Sequence, residues 1–344
     1  MYKTWIKTFL GVFLGGLAVV MLTNAVADPM LVLPFVHKLN NRVRFINDRQ
    51  QKTNLLFFSR YYNVKDYDGI LLGSSRSGSI DTTLFEPQEH VFNYAAAASS
   101  PQEAVSYLQF AQEVHGKPLQ VAYIGLDFMS AGGQKSKSRT KGIPVVYTQE
   151  IKKPLYTLAN LMNLKAFHLS TRILRANLHR TKSSYFEREA GTLVLYEQPN
   201  PQEVQAAFNH TLEIYRGVYN NYHYNPDYKQ ILTEIKQAFP QTRFKVFTTP
   251  VSEPQFEMLK QAGLLNDYKA WLTDIVDVFG ELTHFMDTNE VTRNYPLYFS
   301  DSHHTTQEAS ALMARRLQGQ TQGIPADFGK VLTRENLPAY LAGL

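Results

Sequence analysis

Short apolar runs alternate along this chain with amphipathic stretches whose apolar residues recur every three or four positions. The apolar runs predict strands at residues 68–73, 90–94, 119–127, 243–250 and 283–287. Because strands and helices alternate, the pattern predicts an α/β fold built on a parallel, doubly wound sheet.

Helices are predicted where apolar residues recur every three or four positions. One begins after the N-cap Ser100 and ends at Gly116, and others cover residues 253–264, 266–279 and 305–318. Residues 146–240 interrupt the alternation with mostly helical periodicity. We therefore expect a helical insertion between two strands of the sheet.

An uncharged apolar stretch at residues 9–26 follows Lys3 and Lys7. These 18 residues are near the lower limit for crossing a bilayer, and the lysines favour an N-terminus on the inside. Ala25 and Ala27 stand at A-x-A spacing, so a cleaved signal peptide is the alternative to a retained anchor. We predict a single-pass N-terminal transmembrane helix in the inner (cytoplasmic) membrane, with the globular domain on the extracytoplasmic, periplasmic side.

The organisation predicted from these patterns has six parts. They are an anchor or signal (1–27), a connector (28–66), the first part of the α/β domain (67–145), a mainly helical insertion (146–240), the second part of the α/β domain (241–320) and a C-terminal tail (321–344).

The amino-acid composition excludes several classes of function. The 344-residue chain carries a net charge of +5 and no cysteine, which excludes disulfides, thiolate catalysis and cysteine metal sites. The basic runs at 134–142 and 172–180 contain no nucleic-acid motif. We interpret the first as a solvated loop and the second as the polar side of a helix, and we predict no nucleic-acid partner.

Small polar residues follow the strand at 68–73, and they fit a phosphate loop, a serine nucleophile or a helix N-terminus. Ser79 stands where a phosphate loop needs lysine, so that alternative is weak. Asp301 lies three residues before His304, ahead of the last helix. The histidine can act as a base and the aspartate as the acid that orients it. Because ligands bind at the carboxyl edge of such sheets, the topology can bring both to Ser75.

Four motifs together resemble a known family. "GSS" at 73–75, "FNYAAAA" at 92–98, "GLD" at 125–127 and "DSHH" at 301–304 look, in order, like the four blocks of the SGNH (GDSL-type) hydrolases. The closer likeness is to membrane-anchored bacterial members such as the D-alanyl transfer protein and alginate O-acetyltransferase groups. The resemblance covers the sheet portion and implies a flavodoxin-like sheet of SGNH type.

The resemblance also assigns roles. Ser75 matches the nucleophile, His304 the base and Asp301 the orienting acid, with the Ser75 N–H as one oxyanion donor. No cofactor or metal is implied. Each residue has a structural alternative, since Ser75 or Asp301 can cap a helix and His304 can be a surface residue, with His303 as the rival base.

Two positions depart from the family pattern. Ala95 stands in the block that normally supplies a glycine N–H, and Asp127 replaces the usual asparagine donor. An ionised carboxylate cannot donate a hydrogen bond, so Asp127 must point elsewhere, or Asn93 must substitute, or the site hydrolyses poorly. Arg76 and His303 are candidates for binding substrate, although Arg76 fits a salt bridge equally well.

The resulting hypothesis is an extracytoplasmic serine esterase or O-acyltransferase. It would act on an envelope glycan or its acyl groups, with an acyl donor and a membrane acyl-transfer protein as possible partners. The alternative is a catalytically inactive protein of the same fold that binds a glycan or an assembly partner in the envelope.

Overall fold

The computed structural model describes most of the chain. The described residues are 2–33, 48–59, 67–85, 87–133, 143–180, 184–196 and 200–344. The basic run predicted as a loop at 134–142 and much of the predicted connector lie outside these ranges.

A six-stranded sheet forms the centre of the molecule, and a two-stranded hairpin lies apart from it. The strands are β1 (Gly69–Leu72), β2 (Val91–Asn93), β3 (Val121–Leu126), the hairpin strands β4 (Tyr185–Phe186) and β5 (Leu193–Val194), then β6 (Arg243–Thr248), β7 (Glu281–His284) and β8 (Lys330–Thr333). The sheet order is β2-β1-β3-β6-β7-β8, parallel except for β8, which pairs antiparallel with β7. The predicted α/β fold with a mostly parallel sheet is confirmed.

Helices pack on both sides of this sheet, and one extends from the N-terminus. They are α1 (Tyr2–Ala27), α2 (Asp48–Ser59), α3 (Ala104–His115), α4 (Ile143–Glu150), α5 (Tyr156–Leu161), α6 (Leu164–Leu178), α7 (Pro201–Asn220), α8 (Tyr228–Ala238), α9 (Glu253–Gln261), α10 (Leu265–Phe279), α11 (Glu290–Arg293), α12 (Tyr295–Tyr298), α13 (Gln307–Leu317) and α14 (Leu337–Ala342). Two separate clusters of buried apolar side chains lie against the sheet, as expected for a doubly wound fold.

Helix α3 begins and ends as its sequence predicts. The Glu103 carboxylate accepts the Ser100 N–H at 3.2 Å, and a short 3₁₀ turn at Pro101–Glu103 leads into the helix. Gly116 ends it in the left-handed conformation, where φ is 77°.

The residues predicted as a C-terminal tail belong to the sheet instead. Residues 321–344 contain β8 and α14, and the side chains of Leu332 and Leu337 are buried. The prediction missed β8 because Leu332 is its single fully buried residue, so it has almost no apolar pattern. A strand at the edge of a sheet can be stable with few of its side chains buried.

The predicted insertion is mainly helical, as expected. It contains α5, α6 and α7 as well as the β4–β5 hairpin. Its last helix, α8, buries Tyr228, Leu232 and Ile235 in the same cluster as the sheet residues. This helix therefore returns the chain to the sheet.

Helix α1 is long and apolar enough to cross a membrane. It has 26 residues, with a mean hydropathy of 2.1 over its most apolar window, and almost all of that window is exposed. Only Asn24 and Ala27, near its end, are buried. The exposed apolar surface is what a bilayer would cover.

His284, at the end of β7, is fully buried and hydrogen-bonded at both ring nitrogens. The Tyr268 hydroxyl donates to the Met286 carbonyl, so it accepts from His284 Nε2 at 2.9 Å. The Thr248 hydroxyl accepts backbone N–H groups and therefore donates to Nδ1, also at 2.9 Å. These partners suit the neutral ring.

We predict that acid destabilises the fold through His284. Burial lowers its pKa to about 4, outweighing the Asp287 carboxylate, while Lys330 adds to the lowering. The unfolded chain, with its pKa near 6.5, binds more protons between these values, so stability falls as the pH drops through this window. The loss should be on the order of 3 kcal/mol, measured by denaturant unfolding.

The variant His284→Gln is the control for this pH dependence. It lacks the titrating ring, so its unfolding free energy should fall less steeply between pH 6.5 and pH 4. Equal slopes for both proteins would contradict the assignment.

Candidate active site

The site lies where the order of the parallel strands reverses. β1 pairs with β2 on one side and β3 on the other, and Ser75 and Asp127 follow the carboxyl ends of β1 and β3. In open α/β sheets this switch point is where ligands bind. The two predicted site residues are therefore brought to one edge.

The segment after β1 is a series of tight turns rather than a helix. Backbone hydrogen bonds join Ser77 to Ser74 at 3.0 Å and Gly78 to Ser75 at 3.3 Å. A Cβ on Gly73 or Gly125 would overlap the Ser77 side chain, so the two glycines let the turn pack against β3. Ser75 caps no helix here.

Ser75, His304 and Asp301 form one hydrogen-bonded chain. Ser75 Oγ lies 2.9 Å from His304 Nε2, and His304 Nδ1 lies 2.7 Å from Asp301 Oδ2. An ionised Asp301 can only accept, so Nδ1 carries the proton and Nε2 accepts from the serine. The structure brings together all three residues that the sequence motifs singled out.

Backbone contacts hold Asp301 in place. Its Oδ1 accepts the N–H groups of His303 and His304 at 2.8 and 2.7 Å. Burial raises the pKa of the Asp301 carboxyl, but the hydrogen bonds from the His304 ring and from the His303 backbone N–H outweigh it, leaving the pKa well below its usual range. The N-cap of α13 is Thr306, so Asp301 is not a capping residue.

His303 lies beside the chain but does not contact the serine. Its ring packs against Tyr215 and His304, with centroids 4.8 and 4.1 Å away. Burial and the nearby Arg76 guanidinium hold the pKa of His303 well below its usual value. The structure thus places a neutral imidazole on the wall, and the hydrogen bond to Ser75 belongs to His304.

Asp301, His303 and His304 also bring potential metal-ligand atoms within 4.8 Å of one another. Both Asp301 oxygens already accept hydrogen bonds, and His304 Nε2 contacts Ser75. A metal ion bound here would have to displace the serine–histidine contact. The geometry therefore favours a hydrogen-bonded chain over a metal centre.

Arg76 and Asp127 form a buried pair across the switch point. Arg76 Nη1 lies 4.0 Å from Asp127 Oδ1, both side chains are about 4% exposed, and Arg76 Nη2 donates to the Tyr215 hydroxyl at 2.6 Å. Asp127 Oδ1 also accepts from the Thr249 hydroxyl. Arg76 thus neutralises the carboxylate that stands where an asparagine was expected.

The other two predicted oxyanion donors are engaged elsewhere. The Asn93 amide nitrogen donates to the carbonyls of Ser77, Gly78 and Ile80 at 2.9–3.1 Å. The Ala95 N–H donates to Asn93 Oδ1 at 3.1 Å. Both groups stabilise the serine turn and its neighbouring loop, so neither points at the serine.

Helix α2, predicted as part of a connector, forms hydrogen bonds with segments that support the site. Lys52 is fully buried, and its ammonium donates to the carbonyls of Asn93 and Gly191 at 2.6 and 2.5 Å. Arg49 forms a bidentate pair with Glu103, both contacts at 2.9 Å. The sequence pattern did not indicate this helix because most of its buried side chains are polar, with Leu55 and Leu56 as the buried apolar residues.

A cavity of about 680 Å³ opens beside the serine. Its wall includes Ser75, Arg76, Asp127, Met129, Tyr215 and Val218. The wall thus includes both charged and apolar side chains. A cavity of this size holds a small-molecule ligand or an acyl group.

Comparisons of the sequence with known proteins assign it to no family. No family model matches the sequence, and no curated protein matches it. The chemistry of the site is therefore inferred from its own side chains.

We predict that Lys52→Met weakens the fold by about 2–4 kcal/mol. The substitution keeps the length of the side chain but leaves buried oxygens of Asn93 and Gly191 without their donor. Denaturant unfolding measures the loss. Lys153→Met, at an exposed lysine paired with Glu150, is the control and should change stability by less than about 0.5 kcal/mol. Equal stability of both variants would contradict this role for Lys52.

Proposed function

We propose that this protein is a serine esterase or O-acyltransferase of SGNH type. The observation that carries the proposal is the hydrogen-bonded chain from Ser75 through His304 to Asp301, placed beside a cavity at the switch point. A nucleophile, its base and an orienting carboxylate in this order perform acyl transfer on several unrelated folds.

In the proposed mechanism Ser75 Oγ attacks the carbonyl carbon of an ester. His304 Nε2 takes the hydroxyl proton, and Asp301 stabilises the imidazolium through Nδ1. Collapse of the tetrahedral intermediate breaks the ester C–O bond, and His304 returns the proton to the departing alkoxide. Water or an acceptor hydroxyl then attacks the acyl-serine and gives its proton to His304, which returns it to Ser75.

The oxyanion needs stabilisation that the usual donors do not supply here. The Ser75 N–H remains one donor in our proposal, and the Arg76 guanidinium supplies positive charge on the same cavity wall. In a site shielded from water such a charge acts strongly. Asp127 then serves as the counter-ion of Arg76 and holds it in place.

The substrate class follows from the cavity and from the resemblance of the four motifs. Met129, Ile214 and Val218 supply apolar wall suited to an acyl group. The family resemblance points to acyl groups of an envelope glycan, with α1 as an anchor that keeps the domain on the periplasmic side. Substrate would then reach Ser75 from the cell envelope.

One observation favours a second candidate function. Asp127 occupies the position of a neutral donor, and Asn93 and Ala95 are engaged elsewhere. A protein that has lost its oxyanion donors would retain the fold and the cavity as a binding site for a glycan or an assembly partner. The two experiments below separate the candidates.

We predict that a fluorophosphonate labels the purified full-length protein at Ser75. Because phosphonylation uses the same base, His304→Gln and Asp301→Asn should slow labelling by at least about 10³-fold, and Ser75→Ala should abolish it. Mass spectrometry locates the adduct. Ser99→Ala, at another serine on the cavity wall, is the control and should be labelled normally. Failure to label the unmodified protein would favour the binding function.

The variant Asp127→Asn tests the role of the carboxylate. The change leaves Arg76 buried without its counter-ion, which we expect to cost about 3 kcal/mol of stability, and it should not accelerate labelling of Ser75. Unfolding and labelling rates are measured on the same preparation. A strong increase in labelling would show instead that Asp127 repels the oxyanion.

A further inference from the structure

Helix α5 and the start of α6 present a stripe of exposed apolar side chains. Leu155 is 72% exposed, Leu158 37%, Met162 41% and Leu164 71%. Leu155, Leu158 and Met162 are spaced three and four residues apart, so they lie on one side of α5, and Leu164 follows directly after the turn at Asn163. Single exposed apolar residues are common, but a stripe of this kind marks a surface that is normally covered.

Positively charged side chains lie on the exposed side of α6, next to this stripe. Lys165, Arg172 and Arg175 are exposed, and none forms an ion pair with a described residue. Residues 151–180 contain six lysines and arginines and no aspartate or glutamate. Such a surface is complementary to an anionic partner.

The anchor helix fixes where this surface lies. The Asn24 amide donates to the carbonyls of Leu161 and Asn163 at 2.7 and 3.1 Å, and the Ser170 hydroxyl donates to Asn24 Oδ1 at 2.8 Å. The turn between α5 and α6 is thus bound to the last part of α1.

The length of α1 places that turn at a bilayer surface. Twenty-six residues extend about 39 Å, and the apolar core of a bilayer is about 30 Å thick. The uncharged residues 9–26 extend about 27 Å, so α1 reaches the far boundary of the apolar core close to Val26, within one turn of Asn24. Tyr2 and Trp5 then lie at the first interface. Aromatic residues at the first interface are typical of spanning helices.

We propose that the α5–α6 face, defined by Leu155, Leu158, Met162 and Leu164 with Lys165, Arg172 and Arg175, docks on the bilayer that α1 spans. The leucines and the methionine enter the boundary between headgroups and acyl chains, and the cations contact the phosphates of anionic lipids. This proposal rests on the proposed membrane anchor. A second attachment beside α1 would hold the active-site cavity at a fixed orientation to the membrane.

Single-cysteine labelling tests this contact in the full-length chain, which has no natural cysteine. Leu158→Cys carries an environment-sensitive fluorophore in vesicles of phosphatidylcholine and phosphatidylglycerol. Val331→Cys, at a residue on β8 that is 48% exposed, is the matched control. We expect a headgroup nitroxide lipid to quench the label at position 158 several-fold more than the label at position 331.

Charge reversal tests the lipid phosphates. In the labelled Leu158→Cys protein, Arg172→Glu with Arg175→Glu should lower the ratio of docked to undocked protein by roughly fivefold per charge removed. The effect should disappear in pure phosphatidylcholine vesicles. Arg216→Glu with Arg293→Glu, at two other exposed arginines, should leave the quenching unchanged.

Vesicle flotation separates the anchor from the docked face. Protein that does not float contradicts the anchor and, with it, this inference. Protein that floats while the labels at positions 158 and 331 are quenched equally contradicts lipid docking alone, and assigns the face to a protein partner. Fluorophosphonate labelling of Ser75 is independent of both outcomes.

Discussion

The Asn93 side chain donates to three carbonyls of the serine turn and accepts the Ala95 N–H. These carbonyls lie in a segment without regular secondary structure, and the Ser77 and Gly78 carbonyls also accept the N–H groups of Ile80 and Leu193 at 3.2 and 2.8 Å. Buried backbone groups without partners are costly, so the Asn93 amide helps to hold the turn in the shape that carries Ser75. The Lys52 ammonium donates to the backbone carbonyl of the same asparagine at 2.6 Å. The position of the candidate nucleophile thus depends on a fully buried polar cluster.

Two carboxylates of the site, Asp301 and Asp127, are each held by close partners. The Asp301 carboxylate is held by backbone N–H groups and by His304, which keeps it ionised. The Asp127 carboxylate lies opposite Arg76. Burial makes an unpaired charge expensive, so each carboxylate depends on its partners. His303 lies near Arg76, which favours its neutral form. The arrangement leaves His304 as the imidazole that contacts Ser75.

Helix α2 connects the end of α1 with the site. Its Gln51 and Asn54 amides donate to the carbonyls of Pro29 and Met30, at 2.8 and 2.7 Å, directly after α1. Its Lys52 faces Asn93 instead. A polar helix without an apolar periodicity therefore joins the N-terminal segment, the hairpin and the serine turn through hydrogen bonds. This physical continuity gives the proposed membrane contacts a fixed relation to the cavity.

The sequence alone was sufficient for the five parallel strands, for α3 with its capping residues, for the apolar helix α1, and for the meeting of Ser75 with Asp301 and His304. Periodicity, capping and strand order depend on neighbours along the chain or on general rules of α/β topology, so they can be read without coordinates. Strand β8, the role of α2 and the partners of Asn93 and Asp127 could not be predicted. They depend on contacts between distant segments: Lys52 and Asn93 are 41 residues apart, and Asp127 and Thr249 are 122 apart. A polar side chain has many chemically equivalent partners along the sequence. Only tertiary packing decides which of them it contacts.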